Sequence, residues 1–224
     1  MRLTRLAGAL AIIATVTLTT ATIGLAANLA LSSAALTTAS KAYSSPVTCT
    51  LTASADSYVS NALGQANTNF GTSTTLQLSP TGLSTQRSFL TFDLTTCSPA
   101  IPSDALVQSA TVRLTIAALT LATRTYQLRG VTSSWTETGV TWNNQPTTSS
   151  SVTASATVTI GTAAGTVVQW TSTSDVQSFV TGATTNIGWR LNDSAEGGVT
   201  VATLQLNSRE AGSGRPQLVV TYVA

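Results

Sequence analysis

Short stretches in which apolar and polar residues alternate make up most of the chain after residue 53. The longest covers residues 107–117, where Ala110, Val112, Leu114 and Ile116 share one face and Arg113 lies on the other. Alternation with a period of two is typical of a strand that buries one face. By the same criterion, further strands are predicted at residues 57–59, 75–79, 87–94, 123–131, 151–160, 166–170, 187–192, 199–208 and 217–223.

One segment has helical spacing instead. In residues 174–182, Val176, Phe179 and Val180 fall on one side of a helix that Thr173 or Ser174 would cap and Gly182 would end. Roughly ten strands spaced about 8–15 residues apart, without a strand–helix–strand rhythm, predict an all-β fold. We expect a β-sandwich, jelly-roll-like, with one short helix.

The first 42 residues differ from the rest in composition. Arg2 and Arg5 precede a long uncharged run, rich in Ala and Thr, that lasts until Lys41, which is the layout of a secretory signal. The run is also long enough for an uncleaved membrane anchor, so both interpretations stay open. We predict a signal peptide or N-terminal anchor over residues 1–42, a linker over 43–52, and one exported domain over 53–224 that is not embedded in the membrane.

The charge balance argues against a nucleic-acid partner. The chain has 10 basic and 8 acidic residues, a formal net charge of +2. Arg2, Arg5 and Lys41 lie in the N-terminal segment, and without them seven basic residues remain against eight acidic ones, a net charge of −1. A near-neutral body without a basic stripe is poorly suited to bind a phosphate backbone.

The residue types needed for most catalytic mechanisms are missing. There is no histidine, the commonest general base and zinc ligand. The sequence also lacks a nucleophile elbow, a phosphate-binding loop and a dinucleotide fingerprint. A glycosidase needs only two carboxylates, but the acidic residues here are scattered along the chain. We therefore expect that the protein is not an enzyme.

The two cysteines, Cys49 and Cys97, suit an oxidising compartment. Neither lies in a zinc-type cluster. A single disulfide is predicted, which would close a loop of 48 residues between positions 49 and 97. Closing a loop of this length stabilises the fold by about 4 kcal/mol in the chain-entropy model. Two unpaired buried thiols are the alternative.

Five phrases of the sequence occur together in one known family. They are A-D-S-Y-V at residues 55–59, N-T-N-F-G at 67–71, R-S-F-L-T-F-D-L at 87–94, W-T-E-T-G-V-T-W-N-N-Q-P at 135–146, and N-S-R-E with R-P-Q-L-V-V-T-Y within 207–222. The set resembles the secreted DNRLRE-type domain, also treated as carbohydrate-binding module family 96, over roughly residues 53 to 223. The resemblance implies a β-sandwich of bacterial and archaeal surface proteins and polysaccharide-acting enzymes, with polysaccharide as the partner.

Sugar binding needs an apolar ring face and planar hydrogen-bonding groups beside it. The seven residues predicted to bind a ligand on this basis are Trp135, Glu137, Asn143, Asn144, Trp189, Arg209 and Glu210. Structural roles compete with this prediction. Trp142 is predicted to be buried on a strand, and the N-N-Q-P phrase is predicted to form a turn. Arg209 and Glu210 are predicted to point to opposite faces of a strand. One of these two should contact a partner on another strand, such as Arg87 or Asp93.

Asp56, Asn69 and Asp93 are weaker candidates for a structural Ca²⁺ site, because their oxygens are hard ligands. No EF-hand spacing supports such a site, and we expect no cofactor. The sequence as a whole predicts a non-catalytic extracellular module that binds polysaccharide at the cell surface or in the environment. The alternative is a structural or adhesive surface protein without a glycan ligand. The sequence does not indicate any protein partner.

Overall fold

The computed structural model describes residues 45–224, so the prediction for residues 1–42 lies outside the described residues. The described chain contains eleven strands, one 3₁₀ helix and one α-helix. In chain order they are β1 (Val47–Thr52), β2 (Ala55–Ser60), β3 (Thr75–Leu78), β4 (Gln86–Thr91), the 3₁₀ helix (Leu94–Thr96), β5 (Leu106–Thr115), β6 (Arg124–Gly130), β7 (Ala154–Val158), β8 (Val167–Thr171), α1 (Thr173–Val180), β9 (Trp189–Asp193), β10 (Leu204–Asn207) and β11 (Gln217–Val223).

The strands form antiparallel sheets. A four-stranded sheet has the order β1-β11-β5-β8, a five-stranded sheet has the order β2-β4-β9-β6-β7, and β10 pairs with β3 in a third, two-stranded sheet. The predicted all-β sandwich is confirmed. The strand predicted over residues 107–117 is observed as Leu106–Thr115, and the one predicted over residues 217–223 has the same bounds in the structure.

The main core lies between the four- and five-stranded sheets. Alternate residues of each strand face inward, and the largest of the fully buried side chains are Trp170, Trp189 and Tyr222. The Trp170 indole N–H donates to the Tyr126 carbonyl oxygen at 3.0 Å, which satisfies the polar atom of a ring that is otherwise surrounded by apolar groups.

The linker prediction for residues 43–52 is wrong from residue 47 onward. Strand β1 pairs with β11 along its whole length, from Val47 opposite Tyr222 to Thr52 opposite Gln217. Its alternate residues Cys49 and Leu51 are buried. The predicted disulfide between Cys49 and Cys97 is confirmed, and it joins β1 to the end of the 3₁₀ helix.

The predicted helix begins at Thr173, with Ser172 in the N-cap position but without a side-chain cap bond. Thr173 does not cap the helix, because its Oγ1 accepts from the N–H of Ala110 in β5 at 3.0 Å. Gln177 adds a second link to the strand, since its Oε1 accepts from the N–H of Val107 at 2.8 Å. Helix α1 is thereby fixed against the four-stranded sheet. No helix of residues 45–224 has the length and apolar character needed to cross a membrane.

A second, smaller apolar cluster lies on the outer face of the five-stranded sheet. It contains Val59 and Phe89 from the sheet, Val131 and Val140 from the connection that follows β6, and the half-buried rings of Trp135 and Trp142 together with Ile187. Residues 135–146 therefore cover part of this face. They contain turns and bends but no strand, so the prediction that Trp142 is buried on a strand is wrong.

Candidate functional site

Three distant parts of the chain meet at Asp56 in β2. The backbone N–H of Asp56 donates to Glu137 Oε1 at 2.8 Å, and Asp56 Oδ2 accepts from the backbone N–H of Arg209 at 2.8 Å. The guanidinium of Arg209 donates to Glu137 Oε2 at 2.6 Å, which closes the ring of contacts. We call these three residues, with Glu210, the Asp56 network. It crosslinks β2, residues 135–146 and the turn that follows β10.

The electrostatics of the network suit a structural role. Asp56 is only 1% exposed. Burial raises its pKa to about 7, and the nearby carboxylates of Glu210 and Glu137 act in the same direction, while the N–H bond from Arg209 opposes them. The hydrogen bond to Glu137 raises the pKa of Arg209 above its usual value. Glu137 and Arg209, both predicted to bind ligand, are thus engaged with each other.

Arg209 and Glu210 do not point to opposite faces as predicted. Arg209 Nε lies 3.6 Å from Glu210 Oε1, so the two are a loose ion pair. The prediction assumed an alternating strand, whereas β10 ends at Asn207 and the two residues lie in a turn. Arg87 is paired instead with Glu196, at 2.6 Å between Nη2 and Oε2.

Asn69 and Asp93, two of the three weaker candidates for calcium, have hydrogen-bond partners within the protein. Asn69 uses its side-chain N–H groups to donate to the carbonyl oxygens of Glu137 and Val140 at 2.7 and 2.8 Å. Asp93 is exposed and caps the 3₁₀ helix by accepting from the Thr95 N–H at 2.9 Å.

The carboxylate oxygens of Asp56, Glu137 and Glu210 lie within 4.8 Å of one another. Both oxygens of Glu137 already accept N–H bonds, and the Arg209 guanidinium supplies a positive charge to the cluster. A cation at this position would be repelled by the Arg209 guanidinium. The arrangement therefore suits internal pairing better than metal binding.

Gly71 explains why the N-T-N-F-G phrase accompanies the network. A Cβ atom at Gly71 would lie 2.3 Å from the carbonyl oxygen of Glu137, so only glycine fits there. Asn69 Oδ1 accepts from the Gly71 N–H at 3.1 Å and sets the same turn. The N-T-N-F-G phrase at residues 67–71 and the phrase at residues 135–146 therefore pack directly against each other.

The four tryptophans have different environments. Trp170 and Trp189 are 1% and 0% exposed. Trp189 also donates its indole N–H to Asp175 Oδ2 at 2.7 Å. The prediction that Trp189 binds ligand is corrected, because no face of its ring is open to a ligand. Trp135 is half-buried against Phe89, with its indole N–H donated to the Ile187 carbonyl oxygen at 3.0 Å.

Asn143 and Asn144 are both exposed, and both amides have partners within the protein. Asn144 Oδ1 accepts from the N–H of Thr141 at 2.6 Å, and its side-chain N–H donates to the Gly139 carbonyl oxygen at 2.9 Å. The side-chain N–H of Asn143 donates to Asn67 Oδ1 at 2.7 Å. The predicted turn is therefore present, and Asn144 with Trp135 lines a shallow hollow of about 310 Å³.

A group of arginines on the outer face of the five-stranded sheet was missed from the sequence. Arg129 in β6 is directly opposite Arg190 in β9, which is opposite Phe89 in β4. Arg87, two residues before Phe89, lies on the same face. We call Arg87, Arg129 and Arg190 the arginine face. Arg129 and Arg190 are directly opposed, which places their Cβ atoms roughly 5 Å apart, and Arg87 is a diagonal neighbour of Arg190 at roughly 7–8 Å.

Planar groups orient the arginines. Arg87 has its guanidinium carbon 4.7 Å from the Trp142 ring centre and donates to Gln145 Oε1 at 2.9 Å. Arg129 donates to Gln127 Oε1 at 2.9 Å and to the carbonyl oxygen of Ser150. These contacts hold two of the three side chains across the sheet surface.

Arg190 also donates to a planar amide, but fewer of its N–H groups have hydrogen-bond partners. Its Nη2 donates to Asn192 Oδ1 at 3.2 Å, and its Nε is buried without a hydrogen-bond partner in the described chain. Burial lowers the pKa of Arg190 to about 10, and repulsion from Arg87 and Arg129 adds to the effect while Glu196 opposes it. The signal in the sequence was an arginine alternating with buried Trp189 and Leu191, which places it outward on a strand.

Comparison with known proteins agrees with this architecture. A search of curated proteins gave no match to the chain. The profile of carbohydrate-binding module family 96 matches residues 47–222, which begins with β1 and ends inside β11. Because the match covers most of the 224 residues, the chain belongs to carbohydrate-binding module family 96.

Proposed function

We propose that this protein is a non-catalytic extracellular module that binds acidic polysaccharide through the arginine face. Family membership supports a carbohydrate ligand. The Cys49–Cys97 disulfide fits an oxidising, extracellular environment. The proposal moves the ligand from the seven residues predicted from sequence to a neighbouring surface of the same five-stranded sheet.

The imbalance of charge on that surface carries the proposal. Three guanidinium groups share it with one carboxylate, that of Glu196. Glu196 is engaged by Arg87 through both of its oxygens. Within residues 45–224, Arg129 and Arg190 have hydrogen bonds to amide and carbonyl oxygens but no carboxylate partner. A ligand that brings its own anionic groups would complete this set.

Arginine suits this task because its planar guanidinium pairs with a carboxylate or sulfate through two parallel hydrogen bonds. Gln127 lies beside Arg129 in β6 and offers its side-chain amide to sugar hydroxyl groups. Gln127, Arg129 and Arg190 are partly exposed, so a chain lying across the sheet would reach them. An acidic polysaccharide supplies both kinds of group at regular spacing.

The carboxylates of the Asp56 network do not favour catalysis. A glycosidase requires two carboxyl groups that both reach the scissile bond. Asp56 is 1% exposed, and Glu137 has both oxygens occupied by N–H donors. We therefore propose a binding role without bond cleavage.

The test compares acidic polymers with an uncharged one, and dextran sulfate and dextran share the same backbone. Retardation in affinity gels is measured with polygalacturonate, dextran sulfate and uncharged dextran. We expect retardation by at least one acidic polymer and none by dextran. Arg190→Met keeps an apolar stem of similar length, and loss of one charge-assisted interaction of about 1.5–3 kcal/mol weakens binding by roughly tenfold or more.

Arg113→Met is the matched control. Arg113 has the same charge and also has a buried Nε without a partner in the described chain, but it lies in β5 of the other sheet. Its replacement should change the affinity less than twofold. Equal losses from both variants would indicate unspecific charge attraction, and no retardation with concentration-dependent self-association would favour the structural or adhesive alternative.

A further inference from the structure

We propose a second ligand site, a cleft beside helix α1 that accepts a neutral sugar ring. The cleft has a volume of about 620 Å³. It is lined by the end of β6, the connection before β7, one side of α1 and the connection before β9. Volumes of about 300–1,000 Å³ are typical of small-molecule sites. None of the three residues of the arginine face lines it, so this site is independent of the function proposed above.

The cleft contains one carboxylate, that of Asp175, and it is held in a fixed orientation. Asp175 Oδ2 accepts from the Thr153 hydroxyl at 2.7 Å and from the Trp189 indole N–H at 2.7 Å. Both of the hydrogen bonds that Asp175 accepts within the described chain end on this one oxygen, which leaves Oδ1 available to a ligand. Trp189 is fully buried and cannot move aside, so the carboxylate is preorganised.

The rest of the lining suits a sugar rather than a cation. Eight of the 14 lining residues are Ser or Thr, whose hydroxyl groups both donate and accept hydrogen bonds. Val152, Phe179 and Ile187 supply apolar surface for the C–H face of a ring. Phe179 is held by its contact with Trp189, at 5.4 Å between ring centres. A cation site would be expected to carry several carboxylates, whereas Asp175 is the only acidic residue among the lining residues.

The charge of the cleft predicts the class of sugar. The single carboxylate oxygen can accept hydrogen bonds from two neighbouring hydroxyl groups of one ring. It repels uronates and sulfated sugars. We therefore infer that the occupant is a neutral sugar unit, in contrast to the acidic polymer proposed for the arginine face.

Gly130 keeps the cleft open. A Cβ atom at this position would lie 4.0 Å from Asp175 Oδ2, so a side chain at residue 130 would extend toward the carboxylate. The backbone of Gly130 also supports the opposite wall, since its carbonyl oxygen accepts from the Ser149 N–H at 2.8 Å. A side chain larger than a methyl group at residue 130 would therefore occupy space in the cleft.

The test is a titration of the ¹⁵N-labelled protein with cellobiose, maltose, mannobiose and galactobiose, followed by amide resonances. We expect saturable shifts at Gly130, Thr153 and Ser178 with at least one of these disaccharides. Asp175→Asn keeps one oxygen for Thr153 and Trp189 but turns an amide N–H₂ toward the cleft, so the fold survives and the affinity falls at least tenfold. Gly130→Val should abolish the shifts by occupying the space.

The controls separate this site from the rest of the molecule. Asp93→Asn removes the same charge at an exposed carboxyl that does not line the cleft, and it should leave the affinity unchanged. The proposal is overturned if none of the four disaccharides shifts these amides, or if Asp175→Asn binds as tightly as the unaltered protein. A response to spermidine without a response to the disaccharides also overturns it. Failure of the arginine-face experiment would leave these shifts unaffected, because a neutral disaccharide does not require that surface.

Discussion

The buried carboxyl group of Asp56 predicts an unusual dependence of stability on pH. Its pKa is about 7 in the folded protein, against an ordinary value of 3.8 for aspartate. Below pH 4 the group is protonated in both the folded and the unfolded chain. Between pH 4 and 7 the unfolded chain releases this proton while the folded chain retains it. Stability contributed by the neutral carboxyl group is therefore lost as the pH rises through this window.

The magnitude follows from the size of the shift. Each pKa unit corresponds to about 1.4 kcal/mol, so a shift of about three units lowers the free energy of unfolding by on the order of 4 kcal/mol between pH 4 and pH 7. Above pH 7 this contribution is constant. Asp56→Asn removes the titrating group but keeps an oxygen that can accept from the Arg209 N–H, so this variant should lack the decline.

The assay is urea unfolding at pH 4, 5, 6, 7 and 8, followed by the fluorescence of the buried Trp170 and Trp189. We expect the free energy of unfolding of the unaltered protein to fall from pH 4 to 7 and that of Asp56→Asn to stay nearly level over the same window. Asp93→Asn is the matched control. The pKa of Asp93 is lowered by hydrogen bonds from Thr95, so its contribution to stability is lost only as the pH falls through that low pKa. Its replacement should therefore leave the decline above pH 4 in place. Parallel curves for the unaltered protein and Asp56→Asn would refute the reasoning.

Two further predictions concern the scaffold. Gly188→Ala should lower the free energy of unfolding by about 2–5 kcal/mol, because residue 188 has a φ of +86° and a Cβ atom there would lie 2.2 Å from the Leu90 carbonyl oxygen. Gly64→Ala, with a φ of +79° but no atom within 4 Å of the added Cβ, should cost only about 1–2 kcal/mol, and equal losses in thermal unfolding would contradict the role assigned to the contact. Replacing both Cys49 and Cys97 with alanine should cost about 4 kcal/mol through the restored freedom of the unfolded chain, and an unchanged urea midpoint would contradict that estimate.

The strands were predictable where one face is buried and the other is exposed to solvent. In β5, Val112 and Leu114 are buried while Arg113 between them is not, and the alternation in the sequence identified this strand to within two residues. The same signal was present in β1, where Cys49 and Leu51 are buried between exposed threonines. Proximity to Pro46 and the N-terminal segment led to its interpretation as a linker.

The site was less predictable, because it depends on contacts between distant residues. The alternation of Val140 and Trp142 predicted a strand, but Asn69 and Arg87 fix this segment through a hydrogen bond and a ring contact that local sequence does not reveal. Arg129 and Arg190 are 61 positions apart in the chain and become opposed only through the order of strands in the sheet. Their outward direction was readable from the sequence, whereas their proximity was not.

The central claim, that the arginine face receives an acidic polysaccharide, is tested most directly on the arginine side chains themselves. Nε–Hε resonances of the ¹⁵N-labelled protein are followed during titration with a tri-galacturonate. The account predicts a saturable shift of the Arg190 resonance, accompanied by Arg129, while Arg113 on the other sheet stays unchanged. A shift confined to Arg113, or equal small shifts of all three that disappear in moderate salt, would contradict it.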